Sequence, residues 1–165
     1  MSFEQVYREH FTRLCRLAYR MLGDGEVAED IVQSVFLRIW EKNSLRNIEQ
    51  PAGYLKKAVI NASLNHLDTY FSKHVLRLDH IEEPVAPESR SSDHSAFKAE
   101  LDLAIKRLPP KCQVIFTLSR FEGMTSAEIA EYLNASTRTV ENQIGIALRK
   151  LRADLKPFHP GIAES

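Results

Sequence analysis

The stretch 125–152, TSAEIAEYLNASTRTVENQIGIALRKLR, carries two helical periods separated by Asn134-Ala135-Ser136. Thr125 and Glu128 stand at capping-box spacing: the hydroxyl accepts from the amide three residues on, and the carboxylate reaches back to the cap's own N–H. A short helix to Leu133 follows from that. Asn134 tolerates a positive φ, and Ser136 suits the N-cap of a helix from Thr137 to about Leu155. Helices of about nine and eighteen residues joined by so short a turn have the spacing of a helix-turn-helix, whose second helix fits a DNA major groove, and equally of a plain αα corner. On the wheel of the second helix, Val140, Ile144, Ala147, Leu148 and Leu151 cluster on one side, while Arg138, Asn142 and Arg149 share the other with Gly145 and Ile146. Arginine and asparagine suit bidentate contacts to guanine and adenine edges, so Arg138 and Asn142 are candidates for base contact, or else solvated surface. Arg149, Lys150, Arg152 and Lys156 suit phosphates or solvent.

Working outward, Ala96 to Arg107 is amphipathic and stops at Leu108-Pro109-Pro110, and Pro110 can open a helix that ends at Gly123. Upstream, Ile81 to His94 contains two prolines and no hydrophobic period, which reads as a flexible acidic linker spanning 73–95. The first segment predicts three helices: Phe3 to Leu22, ending near Gly23-Asp24-Gly25; about Val27 to Lys42; and Pro51 to about Phe71, after a polar loop from Asn43 to Gln50. No strand alternation or internal repeat occurs. The expected fold is all-α, with two small helical domains, 1–72 and 96–157, joined by the linker and followed by a tail, 158–165.

Two faces of the first domain invite function. The third helix places Leu55, Val59, Ile60, Ser63, Leu64, Leu67 and Phe71 inside, leaving Tyr54, Lys57, Ala58, Asn61, Asn65 and Asp68 outside. An aromatic, a lysine and two asparagines suit stacking and amide hydrogen bonding to unpaired bases, though a polar helix-helix contact fits them as well. Lys56, His66, Lys73 and Arg77 could track a nucleic-acid backbone beside them. The second helix has an apolar stripe of Val27, Ile31, Val32, Val35, Phe36, Ile39 and Trp40. Opposite it, Glu26, Asp30, Gln33, Ser34 and Glu41 surround Leu37. That pattern fits a basic protein partner with Leu37 as a small anchor, and also an ordinary exposed leucine.

Composition narrows the classes. The chain has 165 residues with 22 Lys+Arg against 22 Asp+Glu and 44% hydrophobic residues, which is ordinary globular usage. No apolar run approaches the ~18–20 residues of a membrane span. Residues 1–10 lack the basic end and apolar stretch of a signal peptide, so an intracellular, cytoplasmic protein without membrane insertion is expected. Cys15 and Cys112 lie in apolar segments and read as small buried hydrophobes. The six histidines are scattered without metal-ligand spacing, and no Gly-rich phosphate loop is present. No metal, cofactor or catalytic residue is expected, and a small helical enzyme has only scattered carboxylates in its favour. A neutral total runs against the positive excess usual in nucleic-acid-binding proteins. It is an average, however: residues 136–156 hold five basic and two acidic side chains, whereas 79–95 hold one and five.

Together AEDIVQSVFLRIW (28–40), PAGYLKKAVINASLNHL (51–67), LPPKCQVIFTLSRFEGMTSAEIAEYL (108–133) and STRTVENQIGIALRKLR (136–152) resemble the extracytoplasmic-function group of sigma-70-type RNA polymerase sigma factors, the kind with regions 2 and 4 only. The resemblance implies promoter-specific initiation in complex with core polymerase. Asp30, Gln33, Ser34 and Leu37 would meet the β′ clamp helices, the family often having Glu where this chain has Ser34; the β flap would be a second contact. Tyr54, Lys57, Asn61 and Asn65, with the loop before them, would melt the −10 element and capture its single strand; Asp68 stands where the family often has a basic residue. Arg138, Thr139, Asn142, Gln143 and Arg149 would read the −35 duplex. The run SRFEGMTSAEIAEYL is most similar to members controlled by a membrane-anchored anti-sigma factor alongside outer-membrane nutrient receptors. The competing function is a stand-alone helix-turn-helix regulator that binds duplex operator without polymerase.

Overall fold

Three of the helices end where one residue enters the left-handed region: Gly23 (φ 72°), Asn43 (φ 48°) and Asn134 (φ 54°). In that conformation the cap's own N–H turns back onto carbonyls of the last turn, and glycine and asparagine adopt it with least strain. The computed structural model describes residues 2–43, 47–75 and 93–155. Those residues form seven helices and no strand: α1 (Phe3–Leu22), α2 (Gly25–Lys42), α3 (Pro51–Val75), α4 (Asp93–Lys106), α5 (Pro110–Arg120), α6 (Ser126–Leu133) and α7 (Thr137–Leu155).

The all-α expectation holds, with differences at the ends. α2 starts at Gly25, earlier than expected, because the Asp24 carboxylate accepts from both Glu26 and Val27 N–H at 3.0 and 3.1 Å. α3 runs past Phe71 to Val75, and α4 begins at Asp93 rather than Ala96. α5 stops at Arg120, earlier than Gly123. Most of the expected linker and the whole tail, 158–165, lie outside the described residues.

α1, α2 and α3 pack on one another through Leu14, Met21, Val32, Phe36, Leu55 and Ile60, all buried. Fully burying each such side chain contributes roughly 1.5–3 kcal/mol. In the carboxy-terminal half, Leu108 in the turn before α5 and Cys112 and Phe116 on one side of it pack with Ala147, Leu151 and Leu155 of α7, and α4 covers this group with Phe97 and Leu101. The other side of α5 joins the amino-terminal core: Val114, Ile115 and Leu118 are fully buried in the same cluster as Val6, Met21 and Ile60. α5 packs on α1 and α3, and α6 on α3, so the two halves are closed against each other.

Five side chains depart from expectation. Trp40 is 62% exposed at the open edge of the α2 stripe. Phe71 is exposed because the last turns of α3 run beyond the core. Leu148 is exposed, while Ile146, expected beside Arg138 and Asn142, is half-buried against the cluster formed with α4. Cys15 is half-buried rather than buried; both thiols are free.

Candidate functional site

The short turn aims α7 outward. Thr125 Oγ1 accepts from Glu128 N at 3.1 Å and Glu128 Oε1 accepts from Thr125 N at 3.2 Å, completing the capping box that starts α6. The Thr125 backbone and hydroxyl, with Lys56 farther off, hold the Glu128 carboxyl below its usual range. Asn134 closes α6, and Ser136 Oγ accepts from Thr139 N at 3.0 Å at the start of α7. Ile129, Ala130 and Val140 lock the two helices together by burial. Cys112 ties the scaffold to α7: burial pushes its thiol up despite Lys150, and the protonated Sγ donates to the Gln143 carbonyl at 3.4 Å.

On the resulting outer face Arg138, Asn142 and Arg149 are exposed. Gln143 and Thr139 are half-buried, and the Thr139 hydroxyl is engaged with Ser136 Oγ at 2.8 Å, which makes it part of the cap. The arrangement puts one amide and two guanidinium groups where base edges and phosphates can be reached, on a helix whose other side is anchored.

α3 presents a second face. Tyr54, Lys57 and Asn65 are exposed along it, whereas Asn61 is half-buried. Its amide nitrogen donates to Lys57 O at 2.8 Å and to Tyr132 O, at the end of α6, at 3.2 Å. Lys56 Nζ lies 5.5 Å from the Tyr132 ring centre. Ala58 is half-buried against the core. The preceding loop includes residues 44–46, which lie outside the described residues.

The third face lies on α2. Asp30, Gln33, Ser34 and Leu37 are all exposed, Leu37 at 55%. Sequence reasoning missed what adjoins them: an open groove walled by Phe3 and Tyr7 of α1 and by Gln33, Phe36, Leu37 and Trp40 of α2. Phe3 and Trp40 meet edge-on at 4.9 Å between centroids, and Tyr7 and Phe36 at 5.0 Å. The spacing of Phe3, Tyr7 and Phe11 at four-residue intervals was the available signal for an aromatic seam on α1.

Among the described residues no three His, Cys, Asp or Glu side chains gather into a metal site, and no helix is long and apolar enough to cross a membrane.

Residues 6–70 match the family Sigma-70 region 2, and residues 98–151 match Sigma-70, region 4. The chain is 28% identical to the ECF RNA polymerase sigma factor SigE of Mycolicibacterium smegmatis, over 99% of this chain and 65% of that protein. It is also 28% identical to the ferric citrate uptake sigma factor FecI of Escherichia coli, over 90% of this chain and 87% of that one. Among solved structures, the sigma factor RpoE of Bartonella quintana, crystallised with the anti-sigma factor NepR, aligns at a TM-score of 0.65 with 16% identity. That alignment covers 93% of this chain and 96% of the other, a likeness of fold.

Proposed function

From the premise that this chain belongs to the sigma-70 family of RNA polymerase sigma factors, in its extracytoplasmic-function group, we propose how its three exposed faces divide the work of promoter-specific initiation. The α2 face, Asp30, Gln33, Ser34 and Leu37, docks the β′ clamp helices, with the aromatic groove beside it as the apolar centre of contact. Trp and Tyr in such a pocket are the residue types that carry most of an interface's affinity. α7 enters the −35 major groove: Arg138 and Asn142 read base edges, Gln143 assists, and Arg149 holds phosphate. Region 4 also meets the β flap. α3 receives the −10 single strand, Tyr54 stacking, Lys57 neutralising phosphate, and Asn61 and Asn65 hydrogen bonding to bases.

Unstacking a base step costs a few kcal/mol, and stacking on an aromatic ring returns roughly 1–3 kcal/mol per base. Melting can therefore be driven by capture, with no hydrolysis, cofactor or metal. On this reading the protein is a cytoplasmic binding subunit and not an enzyme, held in check by a membrane-anchored anti-sigma factor. The similarity to FecI, named for ferric citrate uptake, supports the nutrient-uptake subgroup.

The observation that carries the proposal is the presence on one chain of an anchored α7 with exposed Arg138 and Asn142 and of a separate α3 face with exposed Tyr54, Lys57 and Asn65. A stand-alone duplex-binding regulator would use only the first, and the Sigma-70 region 2 match over 6–70 leaves that alternative without support. Run-off transcription with purified core polymerase tests the proposal: added protein should yield transcripts from its own promoters, and no promoter-dependent product above core alone would overturn it.

A further inference from the structure

Glycine is the poorest residue for a helix interior after proline, because its backbone loses the most freedom on ordering and stands open to water. Gly145 is the ninth of the nineteen residues of α7, well inside both ends. Backbone conformation does not call for it, since the positive-φ glycines among the described residues are Gly23 and Gly123. Crowding does not call for it either. A Cβ built on Gly145 would meet nothing within 4 Å beyond its chain neighbours and its own helix backbone. Gly53 is equally open, but it lies in the first turn of α3, where less of the helix is at stake. Alanine or leucine would therefore fit at 145 and strengthen α7. Among the described residues nothing offsets the weakness that this glycine introduces.

Its place on the helix shows what could. Gly145 follows Asn142 by three residues and precedes Arg149 by four, spacings that set all three along one line, with Arg138 two turns before Gly145. Arg138, Asn142 and Arg149 are exposed. An α-helix has a radius of about 2.3 Å at its Cα atoms and about 5–6 Å with side chains, so a body resting on Gly145 comes about 3 Å nearer the axis than elsewhere on this face. The helix rises about 10 Å from Arg138 to Gly145, close to the ~12 Å width of a major groove. With the amino-terminal turns over base edges, the middle of the helix passes the sugar-phosphate strand that walls the groove.

We propose that Gly145 is the point of closest approach between α7 and the −35 duplex, where a deoxyribose of the groove-walling strand rests on bare helix backbone. The contact is close packing with weak Cα–H···O bonds to sugar oxygens, and the adjoining phosphate falls to Arg149, one turn on. A side chain at 145 would hold that strand away from the helix. The inference rests on the assignment of α7 to the −35 duplex.

Gly145→Ala and Gly145→Leu in the full-length chain separate stability from binding. Replacing the glycine should raise the melting temperature of both by about 2–4 °C. The probe is a promoter duplex recovered from genomic fragments by wild-type holoenzyme, titrated with holoenzyme assembled from core polymerase and each variant. Duplex affinity should fall about 3-fold for Gly145→Ala and at least ~10-fold for Gly145→Leu, the order in which added side-chain volume overfills a close contact. Affinity for core polymerase should not change. A variant more stable than wild type yet weaker on the duplex is the signature of a glycine kept for a partner.

Unchanged duplex affinity for Gly145→Leu overturns the close contact. So does a melting temperature below wild type, which would reveal a structural need for the glycine. A loss confined to core binding also overturns it and gives the bare backbone to a protein partner. Arg138→Ala separates this inference from the reading beneath it. If Arg138→Ala weakens duplex binding and Gly145→Leu does not, the close contact alone falls; if neither does, the assignment of α7 to the −35 duplex falls with it.

Discussion

The groove on α2 and the outer face of α7 are both exposed, yet their chemistry differs. The first is walled by Phe3, Tyr7, Phe36, Leu37 and Trp40, with Ser2, Glu4 and Gln33 as its polar lining. The second shows Arg138, Asn142 and Arg149, in a segment, 136–156, with a surplus of three positive charges. Burial of apolar surface is non-directional and little affected by salt. Contact with phosphate releases counterions and weakens steeply as salt rises. One chain thus carries a face suited to recognition by shape and another suited to recognition by charge and base pattern, and the neutral total conceals both.

The largest effect should come from the groove. Trp40→Ala combined with Leu37→Asp should lower affinity for core polymerase by at least ~30-fold, the scale of losing a central anchor of about 2 kcal/mol or more. Duplex binding should be untouched and the loss should persist at high salt. Equal affinity in a pull-down or anisotropy titration with core would remove the groove from the docking surface.

A smaller and more selective effect belongs to α7. Arg138→Ala should cost about 1–3 kcal/mol at one base pair of the −35 site and little elsewhere. Binding to a set of singly substituted duplexes measures this, and a uniform loss would assign Arg138 to phosphate. The smallest effect should arise in the turn that aims α7. Thr125→Ala should lower stability by about 1 kcal/mol, read from urea melts.

The pH dependence of the same turn has a defined sign. The folded-state pKa of Glu128 is lowered by its bonds to Thr125, so its contribution is complete above the ordinary carboxylate value of 4.5 and is lost as pH falls through the lowered one. Glu128→Gln should flatten that part of the stability profile. An unchanged acid limb would show that the capping bonds do not persist in solution.

Much of this was legible beforehand because it is local. The Thr125–Glu128 box, Asn134 and Ser136 specify α6, the turn and α7 from neighbours within four residues, and each appears as expected. Gly23 announced the end of α1 in the same way. The misses arise where the third dimension decides. Trp40 sits on the apolar stripe by period, but α1 only begins beside it and leaves its ring in solvent, edge-on to Phe3. Ile146 sits on the outer side of α7 by period, but α4 covers it. Asn61 belonged correctly to a polar face, and no periodicity could say that a carbonyl 71 residues away would claim its amide.

That separation has a temporal side. A ribosome adding about 5–20 residues per second takes roughly 4–14 s to travel from Asn61 to Tyr132. The first three helices have their own buried contacts and can collapse within that interval, when Tyr132 does not yet exist. Each newborn copy therefore passes several seconds with the Asn61 side of α3 bare, before the rest of its own chain arrives to cover it.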